Sequence, residues 1–241
     1  MKKKRLFKTL FVYIILIASV YTWFNLNNDN VVIYDYLVLI DEPVKYENTA
    51  EKEIIDNYKK KYNNKEIVGE ISILDSDYKK VIVQHNNNDY YLNHTESKKS
   101  SFMGAIFLDY RVNIDSSKKL LIFGHNSSKV EMPFKILDNY YDYKYYQEHP
   151  YIQIVTNKET RLFKIYSVYV EVKDFDYMKT DFKNDEDWYN HISKFKNKSL
   201  YDTGVEVNKE DNILILQTCS THKDYKNYKD KFLLVIAKEV K

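Results

Sequence analysis

Ile213-Leu-Ile-Leu-Gln-Thr-Cys219 is an apolar run that ends on the chain's one cysteine, and the text turns polar at once in Ser220-Thr-His-Lys-Asp224. A short branched run bounded by polar text predicts a buried strand, with Cys219 where the strand gives out. Leu120-Leu-Ile-Phe-Gly124 has the same character and delivers His125 at its end, ahead of Asn126-Ser-Ser128. Working outward, Glu66–Leu74, Lys80–Gln84, Met103–Asp109, Tyr151–Thr156, Leu162–Val172 and Phe232–Glu239 complete a set rich in Ile, Val, Tyr and Phe. Eight short strands with no regular βα alternation predict a mainly β fold, a closed or nearly closed antiparallel-type barrel. A helix is predicted within Asp41–Lys65, where Ala50, Ile54, Ile55 and Tyr58 recur at helical spacing. Two helical inserts interrupt the strands: a short one at Pro133–Asp138, and Asp185–Lys198, with acids first and lysines last as the helix dipole favours.

The 241 residues suffice for one medium domain behind a targeting segment, and 44% apolar against 30% charged content supports a packed core. Five basic residues and no acid precede residue 27, so the remainder holds 32 basic against 35 acidic residues, a balance that argues against nucleic-acid binding. Lys2-Lys-Lys-Arg5 stands before Leu10–Phe24, an uncharged, mostly apolar run of 15 residues, with Tyr21, Trp23 and Phe24 gathered at its far end. Residues 1–26 are thus expected to form a short cytoplasmic tail and an uncleaved transmembrane signal-anchor. The competing cleaved signal peptide offers only a weak site at Ala18-Ser-Val20, inside the apolar run. Residues 27–66 read as connector and N-terminal helix, and 67–241 as an extracellular catalytic barrel. One cysteine excludes an intramolecular disulfide framework and a cysteine-based zinc ribbon. No metal-ligand spacing and no glycine-rich phosphate loop occurs, so no cofactor is expected.

A thiol and an imidazole at two strand ends are the residue types of covalent acyl transfer, in which the thiolate attacks a carbonyl and the imidazolium protonates the leaving amine. The free groups titrate near ~8.5 and ~6.5, so local tuning or a minority ion pair is required. The other histidines carry plainer expectations. His85 and His149 lie in polar turn text and read as solvated, His191 sits on the insert helix, and His94 suits a hydrogen-bonded structural role under its loop. His222, three residues beyond Cys219, stays open as an alternative partner.

Asn88-Asp-Tyr-Tyr-Leu-Asn-His94, Ala105-Ile-Phe-Leu-Asp-Tyr-Arg111, Phe123-Gly-His-Asn126, Ser199-Leu-Tyr-Asp-Thr-Gly204 and Leu216-Gln-Thr-Cys219 occur in the order seen in class B sortases. The chain resembles that family over about residues 45–241, together with the membrane anchor. The resemblance implies an eight-stranded sortase barrel with a helical insert between late strands. It also implies a cysteine transpeptidase of the Gram-positive cell surface that cleaves a C-terminal sorting signal after Thr and passes the protein to a peptidoglycan amine. Asn-Pro-x-Thr-like or Ser-Pro-x-Thr-like signals are the kind suggested. Carried over by motif, Cys219 is the nucleophile and His125 the general acid/base, with Thr218, Ser220 and Asn126 shaping the substrate pocket.

The family also places an arginine at the start of the last strand, where it steadies the oxyanion. The three arginines here, Arg5, Arg111 and Arg161, all lie elsewhere, and the matching position reads as Lys231, with Lys229 as a register alternative. An ammonium lacks the planar fork of a guanidinium, and losing one good oxyanion donor costs roughly 3–4 kcal/mol. The rival expectation is a non-catalytic barrel that binds peptides at the cell surface. A papain-like peptidase fits poorly, because His precedes Cys and the nucleophile follows a strand instead of opening a helix.

Overall fold

The computed structural model describes residues 49–240. The expected anchor at 1–26 and the connector up to residue 48 lie outside the described residues. Helix α1 (Thr49–Tyr62) carries one acid in its first turn and three lysines in its last, in keeping with the dipole. It ends at Asn63, whose positive φ of 48° is the left-handed C-terminal stop that Asn tolerates. The strands are β1 (Ile67–Ile73), β2 (Lys79–Val83), β3 (Phe107–Leu108), β4 (Lys119–Phe123), β5 (Tyr151–Val155), β6 (Thr160–Glu171), β7 (Ile213–Cys219) and β8 (Phe232–Glu239). They close into a barrel in the order β1-β2-β3-β4-β7-β8-β6-β5.

Alternation along each strand divides the apolar residues into two sets. Leu120 and Ile122 of β4, Leu214 and Leu216 of β7, and Leu233 and Val235 of β8 belong to one cluster with Ile71, Ile154 and Phe163, filling the barrel. Their neighbours Leu121, Phe123, Ile213, Ile215, Leu234 and Ile236 belong to a second, with Ile55 of α1 and Trp188, Ile192 and Phe195 of the insert helix α3 (Asp185–Lys198). The unbroken run of β7 follows from this, because helices cover what would otherwise be its wet face. Each fully buried aliphatic or aromatic side chain contributes about 1.5–3 kcal/mol. Asn184 caps α3 by accepting from the Asp187 N–H at 2.9 Å, and the helix is tied to the barrel where Ser167 Oγ donates to the Phe195 carbonyl at 2.6 Å.

Three features depart from the expectations. The barrel is mixed and not purely antiparallel, since β2–β3 and β4–β7 are parallel pairs. Strand β3 has two residues where seven were expected. Gly104 adopts φ 62°, and the Ala105 N–H donates to the Tyr91 carbonyl at 3.0 Å, so the chain before Ile106 serves a turn. The short insert begins at Lys135, runs as a 3-10 helix to Tyr141 and continues into α2 (Tyr143–Glu148), a helix that tyrosine-rich text did not announce.

Candidate active site

Strands β4 and β7 run side by side in parallel, and their last paired residues are Phe123 and Gln217. One step further, the Gly124 N–H donates to the Gln217 carbonyl at 3.2 Å and Thr218 Oγ1 donates to the Gly124 carbonyl at 2.7 Å. Two steps further, His125 falls level with Cys219. Both keep the parity of Phe123 and Gln217, so both emerge on the outer face of the barrel. Gly124 is the hinge of this arrangement, since a Cβ there would stand 2.6 Å from the buried Phe134 ring. The two residues that strand ends and motif had each suggested separately therefore follow the ends of two adjacent parallel strands.

His125 is held firmly. Its Nε2 lies 2.9 Å from the Leu92 carbonyl, which can only accept, so Nε2 carries the proton and Nδ1 is the nitrogen that exchanges one. Leu92 closes a 3-10 turn over Tyr90–Leu92. Tyr91, buried beneath it, donates its hydroxyl to Glu66 at 2.7 Å and accepts from Asn64 at 2.8 Å. Tyr90 is sandwiched between His94, stacked at 4.1 Å, and His85, at 4.4 Å. His94 also donates from Nδ1 to the Tyr90 carbonyl at 2.8 Å, the structural role expected of it. His85 and His149, expected in solvent, are half-buried instead: His85 meets Glu66 at 3.1 Å, and His149 donates to the Leu74 carbonyl at 3.1 Å.

Cys219 is exposed at the end of β7. Burial of its surroundings pushes the thiol above its ordinary value, and the positive charge of Lys231 pulls the other way. Tyr177 stands close enough for a thiolate at Cys219 to help push its phenol up, behind the larger effects of burial and of Glu171. Asn126 braces the two strand ends, donating to the Cys219 carbonyl at 3.2 Å and to Asp138 at 2.7 Å, while its own Oδ1 is buried with no hydrogen-bond partner. Asp138 also accepts from Thr221 at 2.7 Å and from Lys135 at 2.9 Å.

Thr218 and Ser220, expected to shape the pocket, point behind the strand ends. Thr218 is wholly buried and tied to Gly124, and Ser220 shares a 2.7 Å hydrogen bond with Tyr141. His222, the alternative partner, accepts at Nδ1 from the Asp224 N–H at 3.3 Å and so caps the turn that follows.

The expected cation does not stand directly across from the thiol. The Ser220 N–H donates to the Lys231 carbonyl at 2.9 Å, which sets Lys231 opposite Ser220 and on the face away from Cys219. Its ammonium donates to the Tyr228 carbonyl at 3.0 Å, within the loop between β7 and β8. Lys229 lies exposed in the same loop. The residue directly across from Cys219 is Phe232. Neither described arginine takes that place: Arg111 grips Asp109 in a fork at 2.9 and 2.7 Å, and Arg161 grips Glu239 at 2.7 and 3.0 Å. The Lys231 ammonium, whose charge favours the thiolate at Cys219, thus acts from the neighbouring position and not from the one directly across. The register of the last two strands settles this, and one sequence read without its partner strand does not reveal it.

Below the loop that carries Tyr177 sits a buried ammonium. Lys119 donates to the Tyr177 carbonyl at 2.5 Å, the Lys179 carbonyl at 2.7 Å and His191 Nε2 at 3.0 Å. Burial lowers Lys119 to about 7 and His191 to about 3. A groove of about 930 Å³ is lined by Ser101, Met103, Gly104, Asp138, and Tyr58 and Tyr62 of α1. It borders the site at Gly104, beside the His125 ring, and at Asp138, beside Asn126.

Comparison with known proteins gives a consistent result. The sortase domain family model matches residues 71–240. Sortase B of Listeria monocytogenes is 36% identical over 166 residues, which cover 67% of this chain and 66% of that protein. A mutant form of Clostridium perfringens sortase B superposes with a TM-score of 0.71 at 27% identity, covering 82% of this chain and 92% of that one. A Staphylococcus aureus sortase B–substrate complex superposes with a TM-score of 0.70 at 27% identity, covering 79% of this chain and 86% of that one.

Proposed function

The chain belongs to the sortase family, in its class B, and on that premise we propose that it is a membrane-anchored cysteine transpeptidase acting on proteins with a C-terminal sorting signal. The observation that supports this reading is the parallel β4–β7 register, which ends at Phe123 opposite Gln217, two residues before His125 and Cys219. Nδ1 of neutral His125 takes the Cys219 proton, and Sγ attacks the carbonyl carbon of the signal's Thr. The S–C bond forms, the C–N bond breaks, and the imidazolium returns its proton to the leaving amine. A peptidoglycan amine then attacks the thioester, C–N replaces C–S, and its proton passes by way of His125 back to sulfur. The groove bordering Gly104 and Asp138 supports an approach of that amine from the His125 side. The basic tail and apolar run of residues 1–26 support a cytoplasmic N-terminus with the barrel outside.

Cleavage of quenched sorting-signal peptides by the full chain in detergent, with and without hydroxylamine, tests this reading. Cysteine-dependent cleavage accelerated by hydroxylamine is the expected result, with Cys219→Ala losing at least about 10³-fold. Cleavage by the Cys219→Ala chain at the parent rate would sink it. A peptide-binding barrel without turnover is the second reading, favoured by the phenyl ring that stands across from the thiol.

A further inference from the structure

Cys219 and Phe232 are directly opposite residues of the antiparallel β7–β8 pair. Opposite residues share a face, with Cβ atoms about 4.5–5.5 Å apart, so the Phe232 side chain starts beside the nucleophile. Its ring meets Phe175 edge-to-face at 5.7 Å, and both rings are half-buried, each with surface left open. Phe175 holds a left-handed backbone, φ 45°, at the start of a short 3-10 turn, a conformation that costs a bulky residue about 1–3 kcal/mol and persists only where the surroundings impose it. Tyr177, itself buried, backs this pair with its ring 6.4 Å from Phe175. Lys119 holds the backbone of this turn through the Tyr177 and Lys179 carbonyls. Three rings are therefore kept beside the thiol by a buried ammonium and a strained backbone, and none of them offers a charge.

We propose that Phe232, packed on Phe175, is the specificity-determining wall of the acyl-donor site and selects a peptide with an apolar side chain just before the scissile Thr. The proposal rests on Cys219 being the nucleophile of the proposed reaction. A carboxylate at that peptide position would lose water against the rings and gain no donor in return, so the wall rejects it. An aliphatic side chain buries area against the ring and gains what the acid loses.

The test compares two donor peptides, one with Asn-Pro-Leu-Thr and one with Asn-Pro-Asp-Thr at the cleavage site, on the full chain. The parent is expected to prefer the Leu peptide at least about tenfold in kcat/KM. Phe232→Ala is expected to raise KM for the Leu peptide about tenfold, to leave kcat within about twofold, and to shrink the preference; Phe232→Leu restores most of it. A fall in kcat with KM unchanged, or an undiminished preference in Phe232→Ala, overturns the proposal. Fluorescence anisotropy of the same labelled peptides on the Cys219→Ala chain, with and without Phe232→Leu and Phe232→Ala, reads the wall without any chemistry. Selective binding of the Leu peptide that weakens with Phe232→Ala supports the wall even where no peptide is cleaved, which would count against the transpeptidase reading alone. Equal binding of both peptides overturns the wall whatever the catalytic result.

Discussion

The two halves of the site are built on different principles. On the β4 side, His125 is fixed by a hydrogen bond to the Leu92 carbonyl, and that carbonyl is fixed by a turn whose tyrosines are stacked and hydrogen-bonded to Glu66, Asn64 and His94. On the β7–β8 side, Cys219 is exposed among rings, with a single ammonium acting from behind. A general base works by direction, so its tautomer and angle must be set in advance. A thiol nucleophile works by its charge state and by what lies around it. Substitutions on the two sides should therefore fail in different ways: through geometry on the first, through electrostatics and specificity on the second.

Gly104→Ala attacks the geometric half. A Cβ there meets the Tyr91 carbonyl at 2.6 Å, the Leu92 carbonyl at 2.8 Å and His125 Cδ2 at 3.0 Å, at a positive φ besides. Displacing the Leu92 carbonyl releases the imidazole, and kcat is expected to fall about 10²-fold with a smaller change in KM, read from peptide cleavage on chains shown to be folded. Phe232→Arg tests the other half by supplying a guanidinium on the Cys219 face. An increase in kcat of about tenfold, together with a higher peptide KM, is expected in steady-state kinetics, because the added charge stabilises the oxyanion while the wall is lost.

Lys231→Ala sharpens the electrostatic side. The thiol already titrates above its ordinary value because of burial, and the Lys231 ammonium partly offsets this. Its removal moves the thiol further up, so the pH midpoint of iodoacetamide alkylation rises and the rate at neutral pH falls about threefold. An unchanged midpoint would show that Lys231 serves its loop alone. The remaining effect is on stability. Lys119 titrates near 7 in the folded chain against an ordinary 10.5, so between those values the unfolded chain binds a proton that the fold does not. Stability therefore rises with pH across that window, by at most about 1.4 kcal/mol per unit, and is lost as pH falls. Urea unfolding of Lys119→Met at pH 7, 8 and 9 should show that slope flattened.

Much of the barrel was legible because strands announce themselves by composition and punctuation. All eight occur within a few residues of their expected places, and the lysine-tailed α1 and the acid-to-lysine α3 followed from local rules. Strand β3 shrank because Gly104 and Ala105 serve the turn beneath His125, a tertiary demand with no local signature. Parallel pairing of β4 with β7 was equally hidden, since it depends on which strands become neighbours. Within the site, Cys219 and His125 were legible as residue types at strand ends. The burial of Thr218 and Ser220 was not, because parity alone decides which of two adjacent residues faces out.

Residue inventory and local grammar are written along the chain: a lone cysteine after an apolar run, a histidine after another, strands and helix ends marked by composition. Partnership comes from packing alone. The position across from Cys219 belongs to Phe232 and not to Lys231 because an antiparallel register shifts faces with every residue, and the register is set by barrel closure over both cores. The Lys231 ammonium donates into its own loop while its charge reaches the thiol, and the buried ammonium of Lys119 lies beneath the turn that shapes the thiol's other wall. Charge and chemistry are properties of residues, whereas the group they act upon is chosen by packing.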